Sequence, residues 1–216
     1  MNKRKLLPAV TMIAGAVLAA PASAAVHIEF LQGTSVSSLS GYTVINSFDS
    51  TAGITGSGFL VQNVSNGNGA KIPLPDSLGT NYLSILGGGV ANLILPTATS
   101  DFAFEWGSLD TYNTVTINLG DGSSFILVPS QNVLSGSPGN GNQIIASTNG
   151  TVRVYGDAGE LFAGLNLQSA VNSLEFDNLA IKAAIPETAT WAMMIAGLGA
   201  AGFSLRRRKT AAVRFA

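Results

Sequence analysis

The chain predicts an all-β fold: a two-sheet sandwich ectodomain, jelly-roll or lectin-like, set between an N-terminal signal peptide and a single C-terminal transmembrane helix. Three observations carry this reading. Short runs rich in β-branched and aromatic residues recur between Gly, Asn, Ser and Thr clusters across residues 26–185, and no stretch there sustains a helical period. Both ends carry an apolar run beside a cluster of bases. Charge is segregated to match: residues 26–185 hold only Lys71, Arg153 and Lys182 against eleven acids, a net of −8, while the whole chain sums to −1.

That distribution excludes a nucleic-acid binder, because phosphate neutralisation needs a basic surface and the only basic clusters lie in the tails. The absence of Cys excludes disulfide frameworks, thiolate zinc sites and Cys nucleophiles. A single His, His27, excludes most histidine-built metal sites.

Residues 1–25 have the three parts of a secretory signal: the bases Lys3, Arg4 and Lys5, an apolar run over 9–20, and the small residues Ala22, Ser23, Ala24 and Ala25. Cleavage is expected after Ala24 or Ala25. At about twelve residues the apolar run is short for a membrane anchor, which wants about twenty. His27 then falls in a strand-like segment, 26–31, as a solvent-facing strand residue.

Residues 26–185 suffice for one core burying roughly 70% of the unfolded chain's surface. Strands are expected over 42–46, 58–64, 82–86, 90–95, 101–106, 113–119, 124–128, 143–147, 151–155 and 171–182. The sharpest local signal is a hairpin. Gly120, Asp121, Gly122 and Ser123 form a turn joining Val115, Ile117 and Leu119 on one face to the returning Phe125 and Leu127. Alternation places Phe102, Phe104 and Trp106 on one core-facing stripe. The last strand changes phase between Phe176 and Leu179, which predicts a bulge at Asp177 and Asn178.

The tail, 186–209, is the most specific part of the sequence. Residues 189–205 contain no charge and reach about 25 Å as a helix, a little short of the roughly 30 Å hydrocarbon core. Arg206, Arg207, Arg208 and Lys209 follow at once, and retention of positive charge on the cytoplasmic side puts residues 210–216 inside and the preceding domain outside. Small residues from Ala196 to Gly202 would admit a second helix closely.

The motif Pro186, Glu187, Thr188, Ala189, Thr190, Trp191, Ala192, followed by an apolar helix and an arginine cluster, resembles the PEP-CTERM sorting signal in its Trp-Ala subtype. The resemblance covers 186–209 and implies a Gram-negative source, recognition by the membrane transpeptidase exosortase and removal of the tail. Thr188 stands where that family has a second proline, so the efficiency of processing is the point at which this sequence departs from it. Two ectodomain segments, 104–113 (FEWGSLDTYN) and 174–179 (LEFDNL), are similar to stretches of exosortase-dependent surface proteins with a sandwich ectodomain. The second is also similar to the closing strand of carbohydrate-binding jelly rolls.

Catalytic constellations are sparse. A Ser-His-Asp triad would have to recruit His27, no nucleophile elbow precedes a helix, and Gly87, Gly88 and Gly89 lack the lysine and helix of a phosphate loop. Glu105 and Glu175, both on strands, are the candidate carboxylate pair for glycoside hydrolysis; surface acids are the commoner outcome, and the reading favours no turnover chemistry. No organic cofactor is implied. Calcium, taken by oxygen ligands from separate loops, is the ligand chemistry the composition suits, with Asp177 the first candidate by resemblance to jelly rolls. Tyr112, in a loop, is the sugar-stacking candidate, whereas Trp106 belongs to the core.

The expectation is an exported, exosortase-sorted, non-catalytic protein of the cell surface or extracellular matrix, associated with exopolysaccharide and suited to binding carbohydrate. Its partners would be signal peptidase and exosortase during processing, the inner membrane transiently, and a polysaccharide. Two alternatives stay open: a secreted glycan hydrolase using a carboxylate pair, and an ectodomain anchored permanently by an unprocessed tail.

Overall fold

The structure, a computed structural model, describes residues 25–129, 137–157, 159–182 and 188–206. The signal segment, Pro186 and Glu187, the bases Arg207 to Lys209 and residues 210–216 lie outside the described residues. Ten strands follow in chain order: β1 (Val26–Gln32), β2 (Tyr42–Asn46), β3 (Ile54–Gln62), β4 (Tyr82–Thr99), β5 (Asp101–Gly107), β6 (Asn113–Leu119), β7 (Ser124–Leu127), β8 (Gly150–Gly156), β9 (Phe162–Ser169) and β10 (Leu174–Lys182). A single helix, α1 (Thr188–Arg206), closes the described chain.

All ten strands hydrogen-bond into one antiparallel sheet, in the order β1-β8-β5-β10-β4-β9-β6-β7, with β2 pairing β10 and β3 pairing β4. The sheet curls so that its halves share a core. Phe102 on β5 packs edge-on against Phe162 on β9, rings 5.1 Å apart, although β10 and β4 lie between those strands in the hydrogen-bonded order. The expected two separate sheets are thus replaced by one continuous sheet, and β4 is the reason. Its first residues, Leu83 to Ile85, pair with β10, whereas Gly89 to Ile94 pair with β9. The strand changes neighbours across Gly87, Gly88 and Gly89. There β3 and β4 approach so closely that a Cβ on Gly58 would lie 2.7 Å from Gly89 Cα.

The core stripe expected on β5 is buried: Phe102, Phe104 and Trp106 are fully enclosed, with Val115, Ile117 and Leu127 from the hairpin. That hairpin forms with the expected residues on one face, Val115 opposite Leu127 and Ile117 opposite Phe125. The bulge is present as well. Register shifts between Asp177 and Ala180, and Asn178 sits at φ 48°, so that Leu174, Phe176 and Leu179 face the main core while Glu175, Asp177 and Ala180 face the other way.

Several strand expectations differ, among them 58–64, which forms as Ile54–Gln62. The runs 82–86 and 90–95 form one strand, 143–147 contains no strand and only a 3₁₀ turn at Ala146–Thr148, and the last strand begins at Leu174 rather than 171. A further strand, β9, central between β4 and β6, was not revealed by the sequence pattern.

The outer face of β5 and β10 is covered too. Val36, Ala103 and Ala180 form a small second core with Leu39 and Tyr42 beside them, and a strap over residues 65–80 lays Ala70, Ile72 and Leu74 against the sheet. Ile72 sits directly over Gly107, where any Cβ would lie 2.7 Å from its Cγ1. Consequently β5 is buried on both faces.

Helix α1 forms where the tail's apolar run predicts a helix, with Met193, Ile195 and Leu198 exposed. Among the described residues, however, no helix is long and apolar enough to cross a membrane, so the spanning expectation for 189–205 finds no support in the structure.

Candidate functional site

One polar cavity of about 220 Å³ opens at the end of β5 and β10, walled by four chain segments. Asn66, Gly67 and Gly69 come from the strap; Ser108, Asp110 and Tyr112 from the loop after β5; Gly141 and Gln143 from the loop before β8; Asn172, Ser173 and Glu175 from the turn into β10. The walls are tied to each other. Asn172 accepts from the Gly87 N–H at 2.6 Å and donates to the Gly67 carbonyl at 3.1 Å. Asp110 and Asn140 form an isolated β-bridge, and the Gly141 N–H donates to the Leu109 carbonyl at 3.0 Å.

Two carboxyls face this cavity. The Tyr112 hydroxyl donates to Asp110 at 2.5 Å, and burial raises the Asp110 pKa above the usual carboxylate range despite that bond. Glu175, fully buried, accepts the hydroxyls of Ser108 and Ser173 and the Ala70 N–H at 3.1 Å. Burial still pushes it up to about 7, with the neighbouring Asp110 adding to the rise. Ser108 itself is held in the left-handed region at φ 38°, and its N–H donates to Asn149 Oδ1 at 2.8 Å.

Glu105 and Glu175 do not act as a pair of surface carboxylates. Both are buried, and they answer to different donors. Glu105 is the cross-strand partner of Asp177, not of Glu175, which stands opposite Gly107. Glu105 accepts the Val36 N–H at 3.0 Å and the Ser77 hydroxyl oxygen lies 2.5 Å from it; the same Ser77 oxygen lies 2.7 Å from Asp177. Burial raises both acids, Asp177 to about 7.

The calcium reading of Asp177 lacks a ligand set: its oxygens are engaged by Ser77 and by the Asn178 N–H at 2.8 Å. Among the described residues no group of three or more His, Cys, Asp or Glu is placed to hold a metal ion. Tyr112 does lie in the loop expected, half-buried on the cavity wall. His27 is exposed on β1, stacked on Tyr155 at 4.9 Å and 3.0 Å from Asp157. Of the sorting motif, Thr188, Trp191 and Ala192 fall within α1, and Arg206 ends it.

No family model matches the sequence, and no curated protein is similar to it in sequence. Several solved structures are similar in part. The catalytic domain of a GH87 alpha-1,3-glucanase in complex with nigerose is similar over 68% of this chain and 29% of its own, at 18% identity and a TM-score of 0.38. The enzymatically active domain of tailspike protein 4 of bacteriophage CBA120 is similar over 62% and 21%, at 16% identity and a TM-score of 0.34. The K2 cleaved adhesin domain of Lys-gingipain is similar over 72% and 99%, at 16% identity and a TM-score of 0.34. The chain spans less than a third of the glucanase and tailspike structures it matches. Because catalytic domains stand among these similar structures, the expectation of an ectodomain without turnover chemistry is corrected and not carried forward.

Sequence pattern alone singled out Tyr112 and Glu175 but missed Asp110, Asn66, Gly141 and Asn172. A signal was available. The chain contains two Asn-Gly repeats, 66–69 (NGNG) and 139–142 (GNGN), and both supply cavity walls. Read as turn punctuation, they gave no hint that the fold brings them together.

Proposed function

We propose that the protein is an exported, carbohydrate-engaging surface protein whose site is the cavity between the two Asn-Gly loops. One observation carries this: a polar recess lined by side-chain amides, two carboxyls and a tyrosine, the groups that exchange hydrogen bonds with vicinal hydroxyls. Among the described residues no cation lines it, which favours neutral sugars over acidic ones. Export rests on the tripartite N-terminal segment, and sorting by exosortase with release to the surface or matrix rests on the motif at Pro186, Glu187, Trp191 and Ala192 ahead of Arg206 to Lys209.

A glycan array followed by calorimetry on the best neutral oligosaccharide tests the site. Asp110→Asn and Tyr112→Phe should each weaken binding by at least about tenfold, the loss of one well-placed hydrogen bond to a charged group. Binding unchanged in both variants removes the cavity from consideration. Assaying the same oligosaccharides for cleavage tests turnover, with Asp110→Asn and Glu175→Gln as the variants that should abolish it. Intact mass of the envelope-associated protein tests processing: a form lacking 1–25 and the tail is expected, and a surface form retaining Trp191 to Arg208 overturns the sorting half.

A further inference from the structure

Ser77 has one hydroxyl hydrogen, yet its oxygen lies within hydrogen-bond distance of two carboxyl oxygens, Glu105 Oε2 at 2.5 Å and Asp177 Oδ2 at 2.7 Å. It can donate to only one of them. The other contact is a hydrogen bond only when that carboxyl carries a proton and donates it to Ser77. With both acids ionised, one carboxylate oxygen faces a hydroxyl lone pair and the opposing negative charge.

Among the described residues no cation forms an ion pair with either acid; Arg153, on the neighbouring β8, is held instead by Glu29, Asp101 and the Tyr42 hydroxyl. From the strap comes Asp76, which bears on Glu105 and itself accepts from Ser37; from the segment after β2 comes Asp49, which bears on Asp177. Neutral donors complete the surroundings: the Val36 N–H on Glu105, the Asn178 N–H on Asp177, and the Asn178 amide, 3.3 Å from both Ser77 and Glu105.

These contacts are also what fastens the strap. Ser77 holds its far end to β5 and β10, Asp76 holds Ser37 at 2.7 Å, and its near end carries Asn66, Gly67 and Gly69, one wall of the cavity. We infer that segment 65–80 is a proton-fastened strap: it is secured to the outer face of β5 and β10 while Glu105 and Asp177 share a proton through Ser77, and loosens when both ionise, relaxing the cavity wall it forms. Only the last step rests on the cavity being a binding site.

Backbone hydrogen exchange on the full chain, without glycan and corrected for the intrinsic pH dependence of exchange, tests the strap itself. From pH 5.5 to pH 8.5 the protection of the Val36, Ser77 and Leu78 amides should fall at least about tenfold further than that of Val152 and Val154, whose core amides report only the global change in stability. Asp177→Asn and Glu105→Gln each place an amide that can donate permanently to Ser77, and should keep the acid level of protection at pH 8.5. Equal protection at both pH values in the native chain, or an undiminished fall in both variants, overturns the inference. If either variant fails to fold, Ser77→Ala decides: low protection independent of pH supports the strap, and a native-sized pH response refutes it. A strap that responds in a chain binding no glycan leaves this inference standing and sinks the cavity's proposed role.

Discussion

A Cβ placed on Gly89 would lie 2.1 Å from the carbonyl oxygen of Gly58, and one placed on Gly58 would collide with Gly89 in return. The two glycines let β3 and β4 touch backbone to backbone at the point where β4 passes from β10 to β9. Gly89→Ala is therefore expected to destabilise the fold by about 2–3 kcal/mol or more, since backbone and not a flexible side chain must yield. Urea unfolding followed by circular dichroism measures it. A loss below about 0.5 kcal/mol would show that the corner does not depend on this approach.

Stability should fall with rising pH. Glu175 and Asp177 stand at about 7 in the folded chain and Glu105 is raised as well, whereas carboxyls in an unfolded chain titrate near about 4. The folded state thus binds protons more tightly than the unfolded one. The associated stability is fully present below about pH 4 and is lost as pH rises through 7, and each pH unit separating a folded carboxyl from its unfolded value contributes at most about 1.4 kcal/mol. The urea midpoint is expected to be higher at pH 5 than at pH 8.5; the reverse order would contradict the burial of these acids.

Trp106 is enclosed between Phe104 and the rest of the core, and its indole N–H has no hydrogen-bond partner among the described residues. Trp106→Ala should cost about 3–5 kcal/mol as a large cavity. Trp106→Phe, which deletes the unpartnered donor with part of the ring, should cost no more than about 2 kcal/mol. Equal costs would mean that the N–H finds a partner.

Gly141 occupies the left-handed region at φ +66°, and a Cβ there would lie 2.4 Å from both carboxylate oxygens of Asp110. Gly141→Ala should shift Asp110, cost about 1–3 kcal/mol of stability and weaken glycan binding along with it. Thermal melting and calorimetry read the two effects; native values of both would show that Asp110 is not held by this loop.

The parts of the fold legible in the sequence were those decided locally. Alternation and an Asp-Gly turn specify the β6–β7 hairpin and its core face, and a phase change marks the bulge at Asp177. What stayed hidden was decided by distant chain. Strand β9 alternates Leu165 and Leu167 with Asn166 and Gln168 and contains Gly164, whose bare Cα is required because a Cβ would meet the Leu93 carbonyl at 2.5 Å. Glu105 reads as a solvent-facing residue of an alternating strand. It is buried because the strap, which precedes β4 in the chain, folds back over a face that the strand's own pattern leaves polar.

The place of β10 in the sheet governs when the domain can form. This strand is the last to leave any channel the chain passes through head first, yet it pairs with β2, β4 and β5, and β1 must wait for β8 to find its partner. Closure is therefore dominated by long-range pairings that exist only once nearly all of residues 26–182 have emerged. Until then, one edge of β4 lacks part of its pairing and β5 lacks its β10 neighbour. Such a chain suits a delivery route that passes it unfolded and gives it room to assemble only after β10 has been released.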